Sequence, residues 1–574
     1  MEAIVLLSIA VVMIRAFQVE GYLITTGSMA SSLRGAHEQL DCPHCQYPLA
    51  IGVSFDESSP DPFHQELSSQ REEFTACPNC GEPRIALDHG TTSQGDQILI
   101  HKGGFLFRDP RRFEPALFRN PDEPHEVYIK RVIGLPGESV LLREGDVFIN
   151  GERIVKSLTE QRHLRELIHD ENFHGPTDSN KAVPPRWHAS RGANPAWTFT
   201  PEGHTWQSPA EPPVDPNTFH WLRYQHWTPF GGQHLTTVSL PDEDAEISLP
   251  PLPSDQLPDP EVTEPEVTSP TEPEQVDTGN LDLPFQLPRG NSPVRLDEDA
   301  HELSVIGVLS EEWFLKLAAL NEDHPERVAA LAELKARSHL APLTDYNSYN
   351  PQSLQSHAKV VRDLMIACRV QSMGTNGEIA FRIHEGTQYY EVRLNLARSE
   401  LQLFLKDSPQ PVLTWALPDN DFSAGRLIEF STFDRVLLFA IDGEVLLEGW
   451  TLPFHDPKQP YARTPFEIGA AGDTFSLSDL RVYRDLYYRS DFPGFVRNAT
   501  LEPYPVPADH FFVLGDNSMR SWDSRSWAEP LVSRDQLLGR PLIVHLPSQS
   551  APEEVGGRHF DVRIPDLARI RLIH

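Results

Sequence analysis

Apolar and polar residues alternate with a period of two through much of this chain, the spacing of half-buried strands. The strongest stretch is residues 360–485. Val392, Leu394 and Leu396 fall on one face there, as do Leu401, Leu403 and Leu405. VLLFAIDGEVLLEG reads as a hairpin turning at Asp442-Gly443, a dipeptide that tolerates positive φ. Ile468, Phe475, Leu477, Leu480 and Val482 continue the alternation. Short strands separated by turn residues predict a β-sandwich. A second alternating region, 91–160, contains GDQILIHKG, YIKRVIGLPGESVLL and GDVFINGERI, with turns at Pro136-Gly137 and Asn150-Gly151. A helical period shows at 310–337. Ser310 caps EEWFLKLAAL, and Asp323 is read as the cap of a second helix with Pro325 in its first turn. The fold class is mainly β.

One run fits neither period. Ala3 to Ile14 is apolar except for Ser8, and Arg15 follows. As a helix, residues 1–17 span roughly 26 Å at ~1.5 Å per residue, against a ~30 Å hydrocarbon core. A cleaved signal peptide wants positive charge ahead of the run, where this chain has Glu2. A buried helix fits the length. A short transmembrane anchor works if Arg15 reaches the interface.

Charge narrows the partners. Lys plus Arg is 49 and Asp plus Glu is 83, a net charge of -34, so nucleic acid is excluded as an expected partner. A hydrophobic content of 39% excludes a wholly disordered chain. Much of the acid and proline lies together. Residues 241–300 hold 12 prolines, 16 acids and only Arg289 and Arg295, so 2 - 16 = -14 of the net charge comes from a segment expected to stay solvated. Residues 161–240, rich in Trp, His and Pro, show no clear period.

Four of the five cysteines form matched knuckles, Cys42-Pro43-His44-Cys45 and Cys77-Pro78-Asn79-Cys80. Paired CxxC motifs at this spacing suit a tetrahedral structural zinc bound by Cys42, Cys45, Cys77 and Cys80. One or two disulfides are the alternative. Cys368, in LMIACRV, reads as a core thiol.

Three further segments are weak singly and specific together: TTGSMASSL (25–33), YIKRVIGLPGE (128–138) and FFVLGDNSMRSWDSRSW (511–527). In the order Ser, Lys, Gly-Asp-Asn they resemble the signature boxes of the bacterial type I signal peptidases, membrane-bound Ser/Lys endopeptidases. IRAFQVEGYLITTGSM and LLGRPLIVHLP resemble that family's approach to the nucleophile and its closing strand. The resemblance covers about residues 1–40, 91–155 and 495–548. It departs from the family at Ser31, where a Pro is usual, and at RRFEPALF (111–118), where an Arg-Gly-Asp strand is usual.

The resemblance implies that Ser28 is the nucleophile and Lys130 the general base. Lysine ordinarily titrates near ~10.4 and serves as a base only when neutral. It also implies oxyanion donors at the Ser28 N–H and the Thr26 hydroxyl, a hydrogen bond from Ser521 to Lys130, and a supporting network of Asp516, Asp523, Arg525 and Arg131. No cofactor is implied for catalysis. The implied partners are signal peptides of preproteins with A-x-A-type sites, the lipid bilayer and the secretion machinery. The implied location is the cell membrane, single-pass, with the catalytic part extracytoplasmic.

The expected organisation is an anchor at 1–20, a signal-peptidase-type antiparallel β catalytic domain at 21–40, 91–160 and 491–574, and a zinc-ribbon-like insert at 41–90. A large insert begins at 161–240, runs through the acidic linker 241–300, and ends in a helical segment with a sandwich at 301–490. That sandwich resembles concanavalin-like domains. The large insert is expected to supply none of the dyad, the oxyanion donors or the ion-pair network, so that replacing about residues 165–488 by a linker would leave a working peptidase. Two other functions fit the residues: a same-fold Ser/Lys peptidase with a dedicated non-signal substrate, and a surface-binding protein whose sandwich binds a ligand beside a relic peptidase.

Overall fold

The computed structural model describes residues 18–53, 73–82, 85–87, 91–175, 185–189, 197–201, 204–209, 219–226, 235–240, 292–297, 301–306, 308–351, 354, 357–453, 461–462, 464–491, 497–545, 548–555 and 558–573. The apolar run at 1–17 and most of the acidic linker lie outside them. Among the described residues no helix is long and apolar enough to cross a membrane. Residues 19 and 20, expected within the anchor, lie in a strand instead. Val19–Leu23 is a strand, with Val19 paired to His101 and Glu20 to Ile100.

Chain contacts form two units, Met1–His226 with Pro342–His574, and Trp227–Ala341. In the larger unit, the catalytic-type sheet runs in the order Val19–Leu23, Gln97–His101, Leu537–Val544, Pro115–Arg119, Val127–Gly134, His510–Leu514, Val532–Ser533. Strands from both ends of the sequence therefore alternate in one sheet. Its faces bury Ile98, Ile100, Leu117, Ile129 and Val544 on one side, and Phe118, Val132, Phe511 and Val513 on the other.

The same unit contains the sandwich, an eight-stranded and a seven-stranded sheet over one core that includes Phe381, Val392, Leu394, Leu401, Leu403, Phe430, Phe439, Phe466 and Leu477. The Asp442-Gly443 hairpin forms as read, with φ of 50° and 85°. Cys368 is buried in Leu364–Ser372, and burial pushes its thiol up. The region without a clear period is also sandwich. Glu166–Asp170, Trp187–Ala189, Thr198–Thr200, Thr205–Gln207 and His220–Tyr224 all join these sheets. Its aromatic residues Trp187, Trp206 and Tyr224 fill the core where aliphatic residues do so elsewhere.

The smaller unit pairs a three-stranded sheet, including Val294–Asp297 and Glu302–Ile306, with the helices Glu311–Leu320 and Pro325–Ser338. Leu303, Val305, Leu317, Leu331 and Leu334 form its core. The helices thus belong with the strands Leu235–Ser239, Val294–Asp297 and Glu302–Ile306, not with the sandwich. Ser310 caps the first helix, accepting from Trp313 N. At the second, His324 takes the cap position in place of Asp323 and makes no side-chain cap bond; Pro325 supplies the first turn.

Candidate active site

Ser28 sits on a loop, residues 24–36, fastened at both ends. Ile24 N donates to Asp96 O at 2.9 Å and Ala36 N to Thr25 O at 3.1 Å. Met29, 1% exposed, plugs into the cluster of Ile98, Ile100, Leu117 and Ile129. Hydrophobic burial of the residue after the serine therefore fixes the serine itself. Lys130 comes from Val127–Gly134, the strand that also carries Ile129 into that cluster. Its Nζ donates to Ser28 Oγ at 2.5 Å, with both residues buried.

His510–Leu514 pairs antiparallel with Val127–Gly134 and delivers Gly515-Asp516-Asn517 beside Ser28. Arg131 grips Asp516 through Nε and Nη2 at 2.8 and 2.6 Å. Arg525 grips Asp523 at 2.9 and 2.7 Å, and Gly515 N donates to the same carboxylate at 3.0 Å. Burial opposes ionisation of Asp523, but the Arg525 guanidinium outweighs it and holds the carboxyl below its usual range. Gly515 is required by space. A Cβ there would stand 2.2 Å from Ser521 Oγ and 2.5 Å from Ser28 O.

One expected residue is placed otherwise. Ser521 is buried nearby, but its Oγ has no hydrogen-bond partner, so the bond expected to Lys130 is not made. Lys130 Nζ turns to Ser28 instead, while Ser521 Oγ packs over Gly515. Thr26 is exposed two residues before Ser28. Ser31, at the family's Pro position, donates to Glu166 Oε2 at 2.8 Å.

Other groups that hold the serine were not singled out from the sequence. Asn517 N donates to Ser28 O at 3.0 Å, and its Nδ2 to Gly27 O at 3.0 Å. The Gly-Asp-Asn motif was the available signal for this residue. The large insert also reaches the loop. Asn347 Nδ2 donates to Ala30 O at 3.1 Å and Tyr349 OH to Ala36 O at 2.7 Å. Asn350 exchanges two amide bonds with Asn517, at 2.7 and 2.8 Å. No motif marks these residues.

The four knuckle cysteines converge. They are not disulfide-bonded, and their sulfurs all lie within 4.8 Å of one another, with Cys42–Cys80 at 3.8 Å and Cys45–Cys77 at 3.7 Å. Four thiolates at ~2.3 Å around one tetrahedral ion would be about 3.8 Å apart, so the donor set fits zinc. Asn79 ties the second knuckle to the sandwich. Its Nδ2 donates to Phe173 O at 2.9 Å, and its Oδ1 accepts from Asp170 N at 2.7 Å.

The model of the family "Signal peptidase, peptidase S26" matches residues 88–196 and 468–546. That match includes Lys130, Asp516, Ser521, Asp523 and Arg525 but stops short of Ser28. Signal peptidase I V of Bacillus subtilis is 35% identical over 77 residues, 13% of this chain and 44% of that protein. Signal peptidase I of Pseudomonas aeruginosa is 37% identical over 81 residues, 12% of this chain and 28% of that protein. The chain thus spans less than half the length of these relatives. Among solved structures, a carbohydrate-binding module, CBM66 of Bacillus subtilis, is 9% identical at a TM-score of 0.18 over 22% of this chain and 78% of its own. The Caenorhabditis elegans galectin LEC-6 is 6% identical at 0.16, over 22% of this chain and 82% of its own. Scores that low leave the sandwich to rest on its own strand pairing. The matched residues, divided between two distant parts of the sequence, are similar to the signal peptidase S26 family and to curated signal peptidase I proteins.

Proposed function

We propose that this chain is a signal peptidase I that cleaves signal peptides from preproteins, with Ser28 as nucleophile and Lys130 as general base. The 2.5 Å contact between Lys130 Nζ and Ser28 Oγ carries this reading. Neutral Lys130 takes the Oγ proton as Oγ bonds to the scissile carbonyl carbon. The Ser28 N–H and the Thr26 hydroxyl, which borders solvent, receive the developing oxyanion. Lys130 then passes its proton to the departing amine as the C–N bond breaks. A water, deprotonated by the same lysine, releases the acyl-enzyme. Arg131–Asp516 and Arg525–Asp523 keep the Gly-Asp-Asn turn against the loop, and Ser521 lends a hydroxyl beside it.

In this proposal residues 1–17 anchor the chain in the cell membrane, with the catalytic sheet on the extracytoplasmic side. Residues 18–27 then carry Ser28 at most ~36 Å from the bilayer. Cys42, Cys45, Cys77 and Cys80 would hold one structural zinc, which braces the ribbon and takes no part in the reaction.

Cleavage of a preprotein by purified protein in detergent tests the function. Wild type should cut at the A-x-A site. Ser28→Ala and Lys130→Ala should each abolish cutting while the circular dichroism stays unchanged. The double variant should be no worse, because the two residues act as one unit. Cleavage by Ser28→Ala above that of the double variant would falsify the assignment. A wild-type enzyme that cuts only non-signal substrates would favour a dedicated peptidase.

A further inference from the structure

We propose that Asn350, in a buried turn of the large insert, is a positioning residue for Ser28: it fixes the Asn517 amide that holds the nucleophile loop. This rests on reading Ser28 as the nucleophile.

The turn runs from Asp345 to Asn350 and belongs to neither sheet of the sandwich. It is wired at its base. Arg489 Nε donates to Asp345 Oδ2 at 2.5 Å, and Arg489 N donates to Ser518 Oγ, next to Asn517, at 2.7 Å. The turn folds on itself as Asn350 N donates to Asn347 O at 2.9 Å and Tyr349 N to Asn347 Oδ1 at 3.0 Å. Its tip then meets the nucleophile loop. The Tyr349 ring occupies the space beside Gly27, where a Cβ would approach to 2.3 Å, and beside Gly52, where one would approach to 2.2 Å. Burial pushes the phenol up to about 12, so Tyr349 remains a hydroxyl donor to Ala36 O over the working pH range.

Asn350 completes the arrangement. Asn517 Nδ2 serves two acceptors, Gly27 O and Asn350 Oδ1, while Asn517 Oδ1 accepts from Asn350 Nδ2. An amide flipped end for end would present its oxygen to the Gly27 carbonyl, two acceptors facing each other. The Gly27 carbonyl sets which way the Asn517 amide points, and the reciprocal pair with Asn350 holds it in that plane. Both asparagines are buried, at 1% and 2% exposure, so water does not replace a lost partner. A loose Asn517 amide lets go of the Gly27 carbonyl, one residue from the Ser28 carbonyl that the same residue's backbone N–H holds, and so loosens the approach of Ser28 Oγ. Misplacement of a reacting group by ~1 Å costs about 100-fold in rate, so a fraction of that shift is visible.

The test uses the full-length protein. Asn350→Leu keeps the volume and removes both amide bonds. It should lower kcat by about tenfold or more and leave KM within about twofold, because Asn350 does not line the substrate path. Amide hydrogen exchange should rise in residues 25–36 and not in the sandwich strands. Since Asn350 acts through Asn517, the double variant Asn350→Ala/Asn517→Ala should be no worse than Asn517→Ala alone. Unchanged kcat and unchanged loop exchange would overturn the proposal, as would losses that multiply in the double variant. If Asn350→Leu fails to fold, Asn350→Ala removes the same two amide bonds with a smaller, unbranched side chain, and the same pair of readouts applies. A wild-type protein without peptidase activity would count against the functional reading alone, while loop exchange would still decide the positioning role.

Discussion

Substituting Gly515 by alanine adds one methyl group at the closest point between the Gly-Asp-Asn turn and the serine loop. A Cβ at this position would lie 2.5 Å from Ser28 O and 2.2 Å from Ser521 Oγ. Carbon and oxygen in ordinary contact stand about 3.4 Å apart, so the Ser28 carbonyl must retreat by roughly 0.9 Å. The Ser521 hydroxyl can rotate aside, whereas the Ser28 carbonyl, held by Asn517 N at 3.0 Å, can retreat only by shifting the serine loop. A shift of that size costs about 100-fold in rate, or about 3 kcal/mol of transition-state stabilisation. The assay is kcat/KM on a preprotein in detergent, with circular dichroism and melting as controls. Gly515→Ala should remain folded and lose about two orders of magnitude. Adding Ser521→Gly should restore little, since the carbonyl contact remains. Wild-type kcat/KM in folded Gly515→Ala would refute the argument that this contact sets the serine.

Asp516→Asn leaves Arg131 buried against a neutral partner and should cost about 3–5 kcal/mol in denaturant unfolding, because breaking a buried pair strands the other charge. Purified protein should carry about one zinc per chain by elemental analysis, and Cys77→Ser should lose it; four cysteines that react with thiol reagents only after reduction would mean disulfides. Burial holds His37 down to about 4, against ~6.5 in the unfolded chain. The unfolded state therefore binds more protons between those values, and stability present above pH ~6.5 should fall by up to about 3 kcal/mol as pH drops toward 4. Melting from pH 7.5 to 5 should show a shallower decline for His37→Gln. Replacing residues 227–341 by a flexible linker should preserve cleavage, whereas replacing 165–488 should abolish it, because the second deletion alone removes Asn347, Tyr349 and Asn350.

The sequence made the site legible where chemistry is packed into contiguous residues. TTGSM, YIKR and GDN each hold their own backbone context, and their order told which family to compare. The alternating strands of 364–484 were equally plain, since each buries one aliphatic face. Three features were hidden for physical reasons. Trp187, Trp206 and Tyr224 reach the core from strands of three to five residues broken by prolines, too short to show a period. The turn TDYNSYN is polar throughout and looks like surface loop, yet it is buried because its amides and phenol find carbonyl partners more than 300 residues away. The bond expected from Ser521 failed because a motif names residue types and leaves rotamers to local packing.

The alternation of sequence ends within one sheet has a consequence in time. Gly27 and Asn517 are 490 positions apart, and Asp96 and Arg569, which are ion-paired beneath the same loop, are 473 apart. At about 5–20 residues per second, a ribosome takes roughly 25–100 s to travel from the first asparagine contact's acceptor to its donor. During that interval the serine already exists, but the Asn517 bonds to its loop do not. On the proposed reading the chain is built as its own latch: competence to cut would arrive last, only once the far end of the chain has folded back onto the near one.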